Sequence, residues 1–250
     1  MGKIKLKDIS TRAPDGWDKQ ETKDKLGKIL LDLDELQNLL YAESKHSILI
    51  IIQGMDASGK DGAVRNVLGK LNPQGVLVRS YKVPTAEELS HDFLWRIHAH
   101  APPKGYIQVF NRSHYEDILI TRVHKWIDDK TARRRMKAIN DFEQLLTEHN
   151  DTHILKFYLH ISPKEQRERL EERIHNPAKQ WKYNENDLKE AQLWDDYMAM
   201  YEDCFENCND IPWTIVPSDQ NWYKEHVIAT TLRDTLKGLH MQYPGLKKED

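Results

Sequence analysis

The stretch Ser47-Ile48-Leu49-Ile50-Ile51-Ile52-Gln53 runs directly into Gly54-Met55-Asp56-Ala57-Ser58-Gly59-Lys60-Asp61-Gly62. An unbroken apolar run predicts a strand buried on both faces, the kind found inside a parallel sheet. The glycine-rich segment behind it fits G-x-x-x-x-G-K and opens a helical pattern from about 60 to 71, closed by Asn72-Pro73. A strand before and a helix after are the two contexts that make this spacing a phosphate loop. Gly54 and Gly59 permit the backbone angles that close such a loop around an anion. The loop backbone, with Met55, Ala57, Ser58 and Gly62, and the helix N-terminus direct positive partial charge inward. Lys60 adds a point charge for a phosphoryl group. Asp61 stands where a Ser or Thr usually binds Mg²⁺, so a metal needs other oxygen ligands, and Asp56 is the first candidate. The plainer alternative is a glycine-rich strand–helix turn with a chance lysine.

Outward from this stretch, strands alternate with helices. Leu26, Ile29, Leu30, Leu33, Leu36, Leu39 and Leu40, three and four apart, predict an amphipathic helix over 18–43. Further strands are expected at 76–78, 106–110, 153–160 and 213–217. A helix carrying Leu89, Phe93, Leu94 and Ile97 starts at a Thr85/Glu88 capping box and is broken by Pro102-Pro103. Other helices are expected over 114–125, 131–149, 187–208 and 221–239, and from Ser162 to about Ile174, with Glu165 closing a second box. The alternation predicts an α/β three-layer sandwich of the P-loop kinase type, with a mainly parallel sheet. Residues 1–17 read as an N-terminal arm and 18–250 as one domain, with the charged segment from about 163 to 210 as a helical lid.

Composition narrows the classes. Of 250 residues 39% are apolar, and 7 Trp and 10 Tyr are enough to found a core and exclude disorder. No apolar run approaches the roughly 18 residues of a membrane span. The start, Met1-Gly2-Lys3-Ile4-Lys5-Leu6-Lys7, lacks the apolar region of a signal peptide. Cys204 and Cys208 form neither a C-x-x-C pair nor a disulfide scaffold, so a cytoplasmic setting is expected. With 37 Lys+Arg against 40 Asp+Glu the net charge is −3, which excludes the whole-molecule basic field of a nucleic-acid binder.

Cations are instead concentrated locally. Lys60, Arg65, Lys70, Arg79 and Lys82 crowd the phosphate-loop region, and Arg122 to Lys137 is a second basic cluster, read first as a solvated helix face. After the strand at 106–110 come Asn111-Arg112-Ser113-His114-Tyr115-Glu116-Asp117. Polar groups at the C-terminal end of a parallel strand sit where such sheets bind ligands. Arg112 can neutralise a transferred group, and Asn111, Glu116 and Asp117 offer oxygens for a metal. Arg169 and Arg173 lie four apart, on one helix face of the expected lid. They can act as arginine fingers, or merely pair with helical glutamates such as Glu165.

Together these segments resemble the second family of polyphosphate kinases, the short single-domain type. The resemblance rests on 54–62, Leu71-Asn72-Pro73-Gln74-Gly75, Val83 to Leu89, Asp92 to His98, Phe110 to Asp117, Gln166 to Ile174 and Trp194-Asp195-Asp196-Tyr197. It implies a thymidylate-kinase-like fold with a helical lid. It also implies phosphoryl exchange between inorganic polyphosphate and nucleotides, with Mg²⁺ or Mn²⁺. At matching positions, Asp56 would hold metal or orient the accepting phosphate and Lys60 would bind the transferred group. Arg112, Arg169 and Arg173 would stabilise charge, and Lys70, Lys82 and Arg96 would contact the polymer or nucleotide phosphates. Many family members carry Asp-Arg-Ser-Trp-Tyr-Asn where this chain has Asn111 to Glu116, which weakens a metal role for Asn111. Glu116 resembles the mark of the subgroup accepting nucleoside mono- and diphosphates, and joins Asp56 as an expected metal ligand.

The residues by themselves reach phosphoryl transfer on a P-loop. That leaves open an ATP-dependent nucleoside monophosphate kinase and a non-catalytic nucleotide-sensing module. No nucleic-acid or membrane partner is expected, and the long helix over 18–43 suits a homo-oligomer, a dimer or tetramer.

Overall fold

The computed structural model describes residues 4–246. Residues 1–3 of the expected arm and 247–250 of the expected domain lie outside them. The strands are β1 (Ser47–Gln53), β2 (Val76–Ser80), β3 (Ile107–Asn111), β4 (Thr152–His160) and β5 (Trp213–Pro217). They form one sheet in the order β2-β3-β1-β4-β5, and every pairing is parallel. The helices are α1 (Lys19–Glu43), α2 (Lys60–Asn66), α3 (Ala86–Ser90), α4 (Trp95–His98), α5 (Ile120–Val123), α6 (Asp129–Asn150), α7 (Pro163–His175), α8 (Glu185–Ala191), α9 (Trp194–Asn207) and α10 (Asn221–Gly238). The chain is thus α/β, with helices on both faces of a parallel sheet.

The period of two along β1 divides the core. Ile48, Ile50 and Ile52 face one layer with Leu33 and Leu40 of α1, Ala63 of α2 and Ile228, Leu232 and Leu236 of α10. Leu49 and Ile51 face the other, with Met136, Ile139 and Phe142 of α6 and Tyr201 and Phe205 of α9. That is why an unbroken apolar run is stable here: both faces of the strand are covered. After β1 the chain builds β2 and β3 on one side and β4 and β5 on the other. The reversal opens a crevice at the C-terminal ends of β1, β3 and β4. Among the described residues no helix is long and apolar enough to cross a membrane.

Several elements differ from the sequence expectation. The helix after the phosphate loop ends at Asn66 and continues as a 3-10 turn over Leu68–Lys70, ahead of Asn72-Pro73. The helix expected from Thr85 to beyond Ile97 is two short ones, because the Asp92 carboxylate accepts from Leu94 N–H and folds the chain locally. His114–Ile118 is a 3-10 turn before α5, and 187–208 is divided between α8 and α9. Thr85 and Glu88 form their capping box, but at α7 only Ser162 caps. The Glu165 carboxylate accepts from Arg169 Nε at 2.8 Å instead of returning to the helix start.

The segment read as an arm outside the core reaches into it: Leu6 is buried, its N–H donates to Glu202, and the imidazole of His160 meets its carbonyl. The expected lid is divided as well. Tyr197, Tyr201, Cys204 and Phe205 of α9 are core residues, so only α7, α8 and the turn between them overlie the crevice. The two cysteines are free thiols, both buried.

Candidate active site

Gly54 and Gly59 adopt φ of +150° and +94°, angles a side chain resists. A Cβ on Gly54 would lie 2.9 Å from Leu159 O, and one on Gly59 would collide with Lys224 Nζ. The loop also holds Ala57 at a positive φ, and Ser58 N–H closes a turn onto Met55 O at 3.1 Å. Lys60 is buried, its ammonium bridging Gly54 O (2.6 Å) and Met55 O (3.1 Å). Burial and the Arg112 guanidinium push this lysine down to about 8, against the opposing pull of Asp56, Glu116 and Asp61.

Arg112 comes directly after β3 with φ +62°, and its guanidinium donates to Asp56 at 2.6 Å. Burial opposes its charge, but Glu116 and Asp56 outweigh that and raise its affinity for the proton. Glu116 lies behind it: burial raises its carboxyl, with Arg112 and Lys60 opposing. The Gln53 amide, oriented with its nitrogen on Glu116 Oε1 (2.9 Å) and its oxygen on Ser113, ties β1 to this turn. Asn111 Nδ2 donates to Asp61 Oδ1 at 2.9 Å, and Lys182 Nζ lies 3.1 Å from Asp61 Oδ2.

The turn carrying Arg112 and Glu116 rests on a buried ionic network. Glu143 accepts from Tyr115 OH (2.6 Å) and Lys156 Nζ (2.7 Å), and His114 Nε2 lies 3.3 Å away. A carboxylate only accepts, so His114 carries its proton on Nε2. Burial pushes Glu143 up, but His114 and Lys156 reverse the shift and hold it below the usual range.

A cavity of about 820 Å³ opens over the loop. Of the expected residues, Asp56, Ala57, Gly59, Lys60, Asp61 and Gly62 line it from below. Lys82, Asn111 and Arg112 line one side, and Arg169 and Arg173 face them from α7. Gly54, Met55 and Ser58 are buried in the turn beneath.

Two expected contacts lie elsewhere. Lys70 is exposed on the 3-10 turn and does not border the cavity. Arg96 is buried and holds Lys82 O at 3.0 Å, with Asp117 and Glu88 as ion partners. It holds the segment that carries Lys82 and does not itself border the cavity.

Arg169 borders the cavity, but all three of its nitrogens donate to protein: to Glu165, to the carbonyls of Ala57 and Ser58, and to those of Ser218 and Asp219. It clasps the phosphate loop to the turn after β5. Arg173 is paired with Asp187, whose carboxyl is raised by burial and by Asp56. In the second basic cluster, Arg122 and Arg133 both pair with Asp203, and Arg135 donates to Asp117 O.

Gln166 and Lys179 fall within the stretches that the sequence singled out, but local motifs gave no role to Asp187, Trp181 or Lys224. Gln166 donates to Asp56 O at 3.1 Å, and Lys179 and Trp181 line the cavity. For Lys224 a signal existed, because it stands in the buried row with Ile228, Leu232 and Leu236, four apart along α10.

A phosphate loop, a facing arginine on α7 and a carboxylate–guanidinium pair across the crevice form one anion-binding site. The family model of polyphosphate kinase 2 matches residues 16–244 of the chain. This chain belongs to the polyphosphate kinase 2 family. An AMP/ADP-polyphosphate phosphotransferase of Meiothermus ruber is 45% identical over 228 residues, 90% of this chain and 85% of that protein. An ADP-polyphosphate phosphotransferase of Rhodopseudomonas palustris is 45% identical over 226 residues, 85% of this chain and 78% of that one. The crystal structure of polyphosphate kinase 2 from Arthrobacter aurescens TC1 superimposes with a TM-score of 0.94 at 42% identity, covering 99% of this chain and 90% of that one. The span matched by the polyphosphate kinase 2 family includes both the phosphate loop and the turn after β3.

Proposed function

We propose that the protein transfers the terminal phosphoryl group of inorganic polyphosphate to AMP and ADP, reversibly. The observation that carries this reading is the cavity itself, in which Lys82, Arg112, Arg173, Lys179 and Lys182 surround the phosphate loop. A polyanion matches that lining, and the names of the relatives from Meiothermus and Rhodopseudomonas support polyphosphate as donor.

The accepting oxygen belongs to a nucleotide phosphate and is already ionised, so no strong base is required. It forms a bond to the terminal phosphorus as the bridging oxygen leaves with the shortened chain. Catalysis is then positioning and charge neutralisation in a loose transition state. Lys60 and Arg112 meet the transferred group, Arg173 approaches from α7, and Arg169 keeps the loop in shape.

Mg²⁺, or Mn²⁺, fits the donor set. Asp56 borders the cavity and would be the carboxylate ligand there, while Glu116 lies outside its lining against the Gln53 amide, and Mg²⁺ takes one or two carboxylates with phosphate oxygens and waters. Among the described residues no group of three or more His, Cys, Asp or Glu forms a cation cage, so substrate oxygens complete the set. When bound, the ion would neutralise charge on the phosphates. We place the reaction in the cytoplasm, in keeping with two free buried thiols, and in a homo-oligomer, a dimer or tetramer, in keeping with the exposed Leu31 and Tyr41 on α1.

The test is a donor and acceptor matrix: polyphosphate or ATP as donor, AMP, ADP, GMP or GDP as acceptor, with Mg²⁺ varied. ATP formed from polyphosphate and ADP is the expected result. Turnover with ATP alone as donor would assign a nucleoside monophosphate kinase, and nucleotide binding without turnover a sensing module.

A further inference from the structure

We propose that Lys224 is a positioning residue for the phosphate loop: its buried ammonium holds the Gly59 carbonyl and adds its charge to the anion cradle from behind. The proposal rests on the phosphate-binding reading of this site and deepens it.

Lys224 is fully buried in α10. Its Nζ donates to Gly59 O at 3.1 Å and to Asn221 Oδ1 at 2.7 Å, both neutral acceptors. Among the described residues it forms no ion pair. The adjacent carboxylate of Glu225 is directed elsewhere, accepting from Asn66 Nδ2 at 2.7 Å. Burial and then the charge of Arg169 push the Lys224 ammonium down to about 8, with Lys60 adding to the shift and the Glu225 carboxylate opposing it without reversing it. Three cations therefore converge on one loop.

Lys156 supplies the contrast. It is equally buried, but its ammonium lies 2.7 Å from the Glu143 carboxylate, as a structural cation requires. A buried cation with no carboxylate bonded to it is costly, and an anion seated on the loop is the partner that would relieve it.

The link between Lys224 and that anion is a single peptide group. Gly59 is the N-cap of α2, and its carbonyl accepts both Lys224 Nζ and Ala63 N–H. The other end of the same peptide is the N–H of Lys60, the first of the helix. Such amides have no acceptor within their helix and are free to meet an anion. Donation to the carbonyl polarises the peptide and strengthens its N–H as a donor. Lys224 thus acts through the loop and need not touch a phosphate.

The test is calorimetric titration of the full-length protein with tripolyphosphate, without nucleotide, for the parent, Lys224→Met and Asn221→Asp. Lys224→Met removes the charge from a chain of similar length. Asn221→Asp keeps the lysine but sets a carboxylate on its ammonium, and decides the matter should Lys224→Met fail to fold. Both are expected to raise Kd on the order of tenfold with the number of sites unchanged. Steady-state assays are expected to show KM for polyphosphate rising far more than kcat falls. An unchanged Kd in a folded variant, or fewer sites at unchanged Kd, overturns the proposal. Lys60→Met is titrated in parallel. Should it bind tripolyphosphate as tightly as the parent, the cradle reading itself fails. Should it bind weakly while the other two bind normally, only the role of Lys224 falls.

Discussion

The position of Lys60 makes polyphosphate binding depend on pH in a direction that can be worked out. Its ammonium is pushed from the ordinary 10.5 to about 8 by burial and by Arg112. A tenfold change in proton affinity corresponds to about 1.4 kcal/mol, so keeping the charge in the free protein costs about 3 kcal/mol. A bound polyanion offsets that cost and returns the lysine toward its ordinary value.

Linkage gives the sign. Below about 8 Lys60 is protonated both free and bound, and affinity does not change with pH. Between about 8 and 10.5 the free protein has lost the proton that the complex keeps, so binding takes one up and affinity falls as pH rises. At pH 9 the loss is about tenfold relative to pH 7, and Lys224, displaced in the same direction, increases it. Titration with tripolyphosphate between pH 7 and 9.5, in two buffers of different ionisation enthalpy, reads both Kd and proton uptake. Lys60→Arg, which cannot lose its charge in this range, is expected to flatten the dependence. A Kd constant across that range in the parent, with no proton taken up at pH 9, would refute the reasoning.

Three other outcomes are expected. Arg112→Ala removes the guanidinium that bonds Asp56 and should lower kcat by about 10²–10³, by analogy with loss of one transition-state donor; steady-state kinetics with polyphosphate and ADP measure it. Glu143→Gln leaves the Lys156 ammonium buried without its carboxylate and should cost about 3–5 kcal/mol of stability, read from denaturant unfolding, together with a weakened Arg112–Glu116 turn. Leu6→Ala should cost about 2–5 kcal/mol, because Leu6 is 1% exposed in the core. An unchanged melting temperature there would mean that the N-terminal segment does not contribute to the fold.

Much of this molecule is local in origin. The isoleucine run of β1 and the glycines behind it determine strand, turn and helix through near-neighbour sterics, and the parallel architecture arises from alternation. The loop residues were legible because their spacing is itself the chemistry, since backbone amides must surround one anion, and Arg112 because it directly follows a buried strand, where parallel sheets bind ligands. The capping box at Thr85 was legible for the same reason, being complete within four residues.

Tertiary structure decided what each remaining charge does. Arg169 and Arg173 are equivalent in sequence, yet one clasps four backbone carbonyls and the other pairs with Asp187 beside the cavity. Arg96 resembles a phosphate ligand in the chain and is a buried brace in the fold. Lys224 lies 165 residues from the carbonyl it holds. A side chain's charge is written in the sequence, but its free energy depends on desolvation and on partners brought from distant strands and helices. Those quantities exist only once the sheet has closed its two layers around β1.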